Sequence, residues 1–242
     1  PESQTALPRH NVAIKRRRKR GQRKSCRVVI FFDPHGTVVG EEPQHREQPM
    51  TRYDPIAIGK VESLCINGEP CDQIHFSIDG PAGDLHAGFM RRLSGHDGDY
   101  IRTSSLVRGS AVTNWRTWTG LSREEIVIVE SKLGVSILPG ILLENIVVSG
   151  IHAFSDLAPT SRLVFPRKDA HPGAPQVILA VWEKNDPCRT VGDRLAKRHN
   201  DDPSLMTRFV AAAKNKRGVM GIVLAPGFVD IGDEVRVYPP VG

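Results

Sequence analysis

Residues 181–192 read Val-Trp-Glu-Lys-Asn-Asp-Pro-Cys-Arg-Thr-Val-Gly. An apolar run, Val177 to Val181, leads into this stretch, a proline turn follows, and the residues after Cys188 suit a helix. A strand that exits into a rigid turn and then a helix holds Cys188 at the rim of a fold, beside backbone N–H groups that favour a thiolate. Two roles stay open at this level, a reactive thiol or a small buried hydrophobe. The same rhythm of short apolar segments broken by Gly, Pro and Asp recurs at 58–66, 74–78, 163–165, 219–224 and 234–238. Several short strands divided by turn signals point to a mainly β barrel or sandwich rather than to repeated βαβ units.

Two or three helices interrupt the strands. Ser122-Arg-Glu-Glu125 is a capping-box arrangement; Ile126, Val129 and Leu133 then share one face, and Gly134 closes the helix. Asp202-Pro203 opens a second, lined by Leu205, Phe209 and Ala213. A third is expected over 191–199.

The chain has 242 residues, 39% of them hydrophobic, and a formal charge of +6. That is enough for one sizeable core. The charge is concentrated: residues 15–27 hold nine basic and no acidic residues, leaving 24 of the 33 basic residues against 27 acidic ones, a net of −3. The chain therefore divides into a basic, poorly organised extension over 1–55, with at most an edge strand at 28–32, and a domain over 56–242. A self-repelling block such as 15–20 suits a solvated tail, or a contact with nucleic acid or an acidic protein partner. No apolar run reaches the length of a membrane span, and four cysteines without a secretory signal suggest a reducing, cytoplasmic setting. Cys65 and Cys71 read as structural, since no Cys/His pair stands at zinc-ribbon spacing.

Four further segments could carry chemistry. Gly83-Asp84-Leu85-His86-Ala87-Gly88 describes a tight loop in which backbone can approach a ligand and an imidazole can donate, accept or ligate. Arg91-Arg92 could clamp a phosphate, or the two side chains could point to opposite sides. His96 and Asp97, two adjacent ligand types, define no metal site. Asn114-Trp115-Arg116-Thr117-Trp118 could stack a flat heterocycle, or supply core plus a surface charge. In residues 138–150 a Pro-Gly turn leads through Leu142-Leu143 to Glu144-Asn145 and then a β-branched run, so a polar pair sits at the mouth of a buried strand and needs polar partners there.

Taken in order, the 83–88 loop, the 138–150 segment, the stretch around Cys188 and the ending Gly221-Ile-Val-Leu-Ala225 … Asp230-Ile-Gly-Asp-Glu-Val235 resemble the MOSC family, named for the C-terminal domain of molybdenum cofactor sulfurase. The resemblance runs from about residue 58 to 237. It implies a partly open, mixed β-barrel with peripheral helices, and binding of the molybdenum cofactor, a pterin bearing a phosphate. Cys188 would then be the molybdenum ligand or a persulfide sulfur carrier, both suited to a soft thiolate. Asp84 and His86 match the family's Gly-Asp-x-His segment near the cofactor pocket. Arg91, Arg92, Asn114, Glu144, Asn145 and Arg189 complete the expected cofactor-binding set. The family often carries an arginine just before the Asn145 position, where this chain has Leu143 and Glu144. Members of this size suggest reduction of N-hydroxylated compounds, with sulfur or electrons delivered by a separate protein. No lysine stands in a recognisable Schiff-base context, so bound pyridoxal phosphate is not expected.

Overall fold

The structure, a computed structural model, describes residues 54–94, 101–102, 104–166 and 176–240, and the backbone of three strands ahead of them. It divides into two compact units, Pro1–Tyr53 and Asp54–Gly242. In the first, β1 (Val12–Arg16), β2 (Arg27–Phe32) and β3 (Val38–Pro43) form an antiparallel sheet in that order. The run Val28 to Phe32, expected at most at an edge, is the central strand; a β-branched and aromatic run can pair along both sides. Residues 17–26, which hold most of the basic block and Cys26, lie outside the described residues.

The second unit carries β4 (Ala57–Ile66), β5 (Glu69–Cys71), β6 (Gln73–Ser77), β7 (Gly80–Pro81), β8 (Met90–Arg92), β9 (Ala111–Thr113), β10 (Trp118–Ser122), α1 (Arg123–Leu133), β11 (Ile146–Ser149), β12 (Arg162–Phe165), β13 (Val177–Lys184), α2 (Arg189–Arg198), α3 (Ser204–Ala212), β14 (Val219–Ala225), β15 (Gly227–Asp230) and β16 (Glu234–Tyr238). Seven of these strands close a barrel in the order β4-β11-β10-β14-β13-β12-β16 and back to β4. Only β10 and β11 run parallel within it. The expected mixed β-barrel with peripheral helices is borne out, with one correction: the barrel is closed, not partly open as the resemblance implies. Pairing of Ile146 with Leu64 and Val148 with Val61 closes it fully, which leaves the ring without an unpaired edge.

Alternation along the strands fills the interior with Val61, Leu64, Trp118, Ile146, Val148, Leu163, Leu179, Val223 and Val237. Outside the wall formed by β10 and β11, Leu121 and Val147 join a second cluster with Ile126, Val129 and Leu133 of α1, Val191 and Leu195 of α2, and Leu205 and Phe209 of α3. Strand β11 is therefore buried on both faces, which explains its unbroken apolar run.

Helix α1 starts as its sequence indicates. The Ser122 hydroxyl accepts from the Glu125 amide at 3.2 Å, and Gly134 caps the far end at φ +73. Glu125 itself turns inward and accepts from the Ser155 hydroxyl at 2.6 Å. Helix α2 begins at Arg189, two residues ahead of the expected start, because the extended Cys188 is its N-cap. Among the described residues no helix is long and apolar enough to cross a membrane.

Candidate functional site

The 83–88 loop is held from beneath by a buried polar network. Asp84 Oδ1 accepts from the His86 amide at 2.8 Å and lies 3.1 Å from its Nδ1, while Oδ2 accepts from the Asn145 side-chain amide at 2.8 Å and the Asn67 amide at 3.2 Å. Burial works to raise the Asp84 pKa, but hydrogen bonds from His86, Asn67 and Asn145 overcome it and bring the carboxyl down to about 2. Asn67 reaches the loop again, donating to the Gly83 carbonyl and accepting from the Leu85 amide. Asn114 donates to the carbonyls of His86 and Gly88 at 2.8 and 3.0 Å. The fixed loop presents His86, whose side chain is 56% exposed, at the lip of a cavity.

That cavity has a volume of about 860 Å³. One wall is the turn from β13 into α2, where Asn185, Asp186, Pro187 and Cys188 are followed by Thr190 and Val191. Arg91 on β8 and Trp115 also line the cavity and are in cation–π contact at 5.8 Å; Trp115 stacks in turn on Trp182 of β13, with ring centroids 5.4 Å apart. Leu143, in the left-handed region at φ +57, contributes a side chain to the wall, a conformation unusual for a branched residue.

Arg217 completes the cavity. It is 4% exposed, its Nη2 donates to the Leu142 carbonyl, and its Nε and Nη1 are buried with no partner among the described residues. Gly218, at φ +76, explains its position: a Cβ there would stand 1.9 Å from the Gly120 carbonyl oxygen, so only glycine lets the start of β14 approach β10 this closely. Burial pushes the guanidinium down from its usual range, against the pull of Glu144 and Cys188. Glu144 accepts from the Gly140 amide at 2.6 Å through Oε1; burial raises its pKa, and its buried Oε2 has no partner among the described residues.

A family model described as the MOSC domain matches residues 111–236. The chain belongs to the MOSC family. It is 33% identical over 168 residues to YuaD of Bacillus subtilis strain 168, which is named as a candidate metal-sulfur cluster biosynthesis protein; the match spans 69% of this chain and 80% of that one. The crystal structure of Bacillus subtilis YuaD superposes with a TM-score of 0.67 at 31% identity, over 76% of this chain and 97% of the other. YiiM of Escherichia coli gives a TM-score of 0.45 at 15% identity, over 76% and 71%.

Within this MOSC barrel the residues singled out by sequence separate by where they lie. Cys188, His86, Arg91 and Asn114 line the one cavity. Asp84 and Asn145 lie behind its wall, where they hold the loop: Asn145 accepts from the Thr119 amide at 2.9 Å and donates to the Cys65 carbonyl as well as to Asp84. Glu144 is buried beside Arg217 and is not part of the cavity's lining. Arg92 and Arg189 do not join the site. Successive residues of a strand point to opposite faces, so when Arg91 meets Trp115 its neighbour Arg92 turns away and donates to the Gly109 carbonyl at 2.9 Å. Arg189, the first residue of α2, is exposed and outside the lining. His96 and Asp97 lie outside the described residues. Trp118 belongs to the core, its indole N–H donating to the Ile222 carbonyl at 3.0 Å. Sequence reasoning missed Arg217, Asn67 and Trp182. For Arg217 the local hint is slight: a charged residue stands directly before a glycine and the apolar run of β14.

Proposed function

We propose that this cavity binds the molybdenum cofactor, with Cys188 as the group that ligates molybdenum or carries sulfur to it. The observation that carries the reading is that a thiol and a buried, partly unpartnered guanidinium face one cavity of about 860 Å³. The donor set suits such a ligand. Cys188 is a soft donor fit for a metal–sulfur centre, Trp115 supplies an aromatic wall beside which a flat pterin can lie, and Arg91 and Arg217 offer charge-assisted donors to its anionic group. The name of YuaD, which concerns metal–sulfur clusters, points in the same direction for that relative.

Bound there, the cofactor would supply two-electron redox chemistry, and reduction of N-hydroxylated compounds is the substrate class that goes with it. His86, half-exposed at the lip and with its Nδ1 fixed by Asp84, would hold or release a proton toward the cavity through Nε2. In the sulfur-carrier role, the Cys188 thiolate attacks the outer sulfur of a persulfide on a donor protein. A new S–S bond forms on Cys188, the donor's S–S bond breaks, and the donor leaves as its thiol.

The test is purification from a molybdate-supplemented host, with molybdenum measured by mass spectrometry and the pterin by fluorescence after oxidation. Stoichiometric metal and pterin are expected. Protein that contains neither, from a host that loads a control molybdoenzyme, would overturn the reading.

A further inference from the structure

We infer that the inner wall of the cavity holds a binding site for a tetrahedral oxyanion, formed by the Arg217 guanidinium together with the N-terminal amides of α2 at Thr190 and Val191. The starting point is an imbalance. A guanidinium has five donors in a rigid fork, and burying it with unused donors is costly unless an acceptor comes to it. Arg217 uses Nη2 on the Leu142 carbonyl and leaves Nε and Nη1 buried and unpartnered. The next residue, Gly218, lies backbone to backbone against Gly120, so the chain that carries Arg217 starts from a fixed place, and its side chain is 4% exposed.

Its neighbour Glu144 is an incomplete counter-ion. One carboxyl oxygen is taken by the Gly140 amide, and burial favours the neutral acid.

A second, independent feature meets Arg217 at the same wall. Helix α2 runs for 10 residues and begins at the cavity, and Cys188 at its N-cap supplies no side-chain acceptor for the first-turn amides. Thr190 and Val191 line the cavity with Arg217. Amides at a helix start and a planar arginine fork together present convergent N–H groups and positive charge, the combination that suits phosphate- or sulfate-like oxygens. In the cavity's charged lining Arg91 and Arg116 balance Glu183 and Asp186, and Lys184 is paired with Asp156 at 2.6 Å, so Arg217 is the excess charge that draws an anion in.

The ligand chemistry is a phosphate-type oxyanion, either the phosphate monoester of the cofactor proposed above or a free inorganic anion. The inference does not depend on molybdenum. The full chain, made in a host without molybdate, is titrated with inorganic phosphate at ionic strength held constant with chloride, and Tm and the ³¹P linewidth of phosphate are followed. A saturable rise in Tm and broadening of the phosphate signal are expected, and Arg217→Met should abolish both. In phosphate-free buffer the Arg217→Met protein should melt close to wild type or above it, since an unpaired buried charge has been removed. The inference is overturned if chloride produces the same rise as phosphate, or if the response survives in Arg217→Met. Should that variant not fold, Arg217→Lys decides: loss of the fork should weaken phosphate about tenfold or more, and unchanged affinity would equally overturn the site.

Repeating the titration on cofactor-loaded protein identifies the source. A response that vanishes assigns the site to the cofactor's phosphate, and one that persists at full pterin content assigns it to a free anion. Absence of molybdenum with an intact phosphate response would end the cofactor proposal and leave this one standing.

Discussion

The side-chain amide of Asn145 donates to Asp84 Oδ2 at 2.8 Å, across 61 residues of sequence and with both groups buried. This bond ties the mouth of β11 to the loop that presents His86, so two segments far apart in sequence form one rigid wall. Asp84→Asn should remove the charge on which those donors converge. With the carboxyl held at about 2 against an ordinary 3.8, the ionised form contributes about 2 kcal/mol. The folded-state pKa is depressed, so this contribution is present above about pH 4 and fades as pH falls through about 2. Denaturant unfolding of wild type and Asp84→Asn should show that gap at pH 7 and its closing between pH 4 and 2. A gap independent of pH would mean that Asp84 acts through packing alone.

Much of this wall is legible in the order of residues. Glu144 and Asn145 stand between leucines and a β-branched run, so burial of polar groups with local partners follows from the pattern. Ser122, Glu125 and Gly134 mark α1 because capping is a local affair. Arg217 is different. It closes a run of basic residues after α3, and its role depends on β14 lying between β10 and β13, a long-range pairing that no local periodicity announces. The stack of Trp115 on Trp182 and the closure of β11 on β4 are hidden for the same reason.

Arg91 and Arg92 should behave differently despite being adjacent. Arg91 meets Trp115 at the cavity, while Arg92 binds a backbone carbonyl elsewhere. In titrations with oxidised pterin, Trp115→Ala and Arg91→Ala should each weaken binding by up to about tenfold, the size of one lost aromatic or cation–π contact. Arg92→Ala should bind as wild type does. Equal losses at both arginines would contradict the placement of Arg92 away from the site.

Deleting residues 1–53 should leave the barrel intact. All seven barrel strands lie after residue 56, and the chain's compact units divide between Tyr53 and Asp54. The Tm of the 54–242 fragment should fall within about 4 °C of the full chain, a shift of about 1 kcal/mol or less. A larger fall would show that the first unit supports the second.

Gly218→Ala should be the most damaging small substitution near the cavity. Its φ of +76 disfavours any side chain, and the added methyl would collide with the Gly120 carbonyl at 1.9 Å, a backbone atom that cannot rotate aside. A loss above about 3 kcal/mol is expected by chemical denaturation, together with loss of the Arg217-dependent phosphate response. Gly83→Ala shares the positive φ but meets nothing within 4 Å, so it should cost only about 1 kcal/mol. Similar losses at the two glycines would show that conformation, rather than the close approach of β14 to β10, governs this part of the barrel.

The described thiols should separate cleanly by function. Cys65 is buried in the barrel wall, where burial first, and then Glu144, Cys71 and Glu69, push its pKa up to about 12; it will remain a protonated packing group at neutral pH. Cys71 lies on the neighbouring strand β5, its pKa also raised by burial and by Asp72. Cys188 alone of the three lines the cavity, at the N-cap of α2 and beside Arg217. Cys188→Ser keeps the size of the side chain but exchanges a soft donor for a hydroxyl that neither ligates molybdenum well nor carries sulfane sulfur. Molybdenum content and persulfide content should therefore fall to background, with Tm within about 4 °C of wild type. Cys65→Ser should do the reverse, costing about 1–3 kcal/mol by placing a hydroxyl in an apolar wall while the folded fraction still retains cofactor. Metal analysis, persulfide labelling and melting curves on both single variants decide the matter. Unchanged molybdenum and persulfide in Cys188→Ser would reduce that thiol to a packing residue and remove the basis of the proposed function.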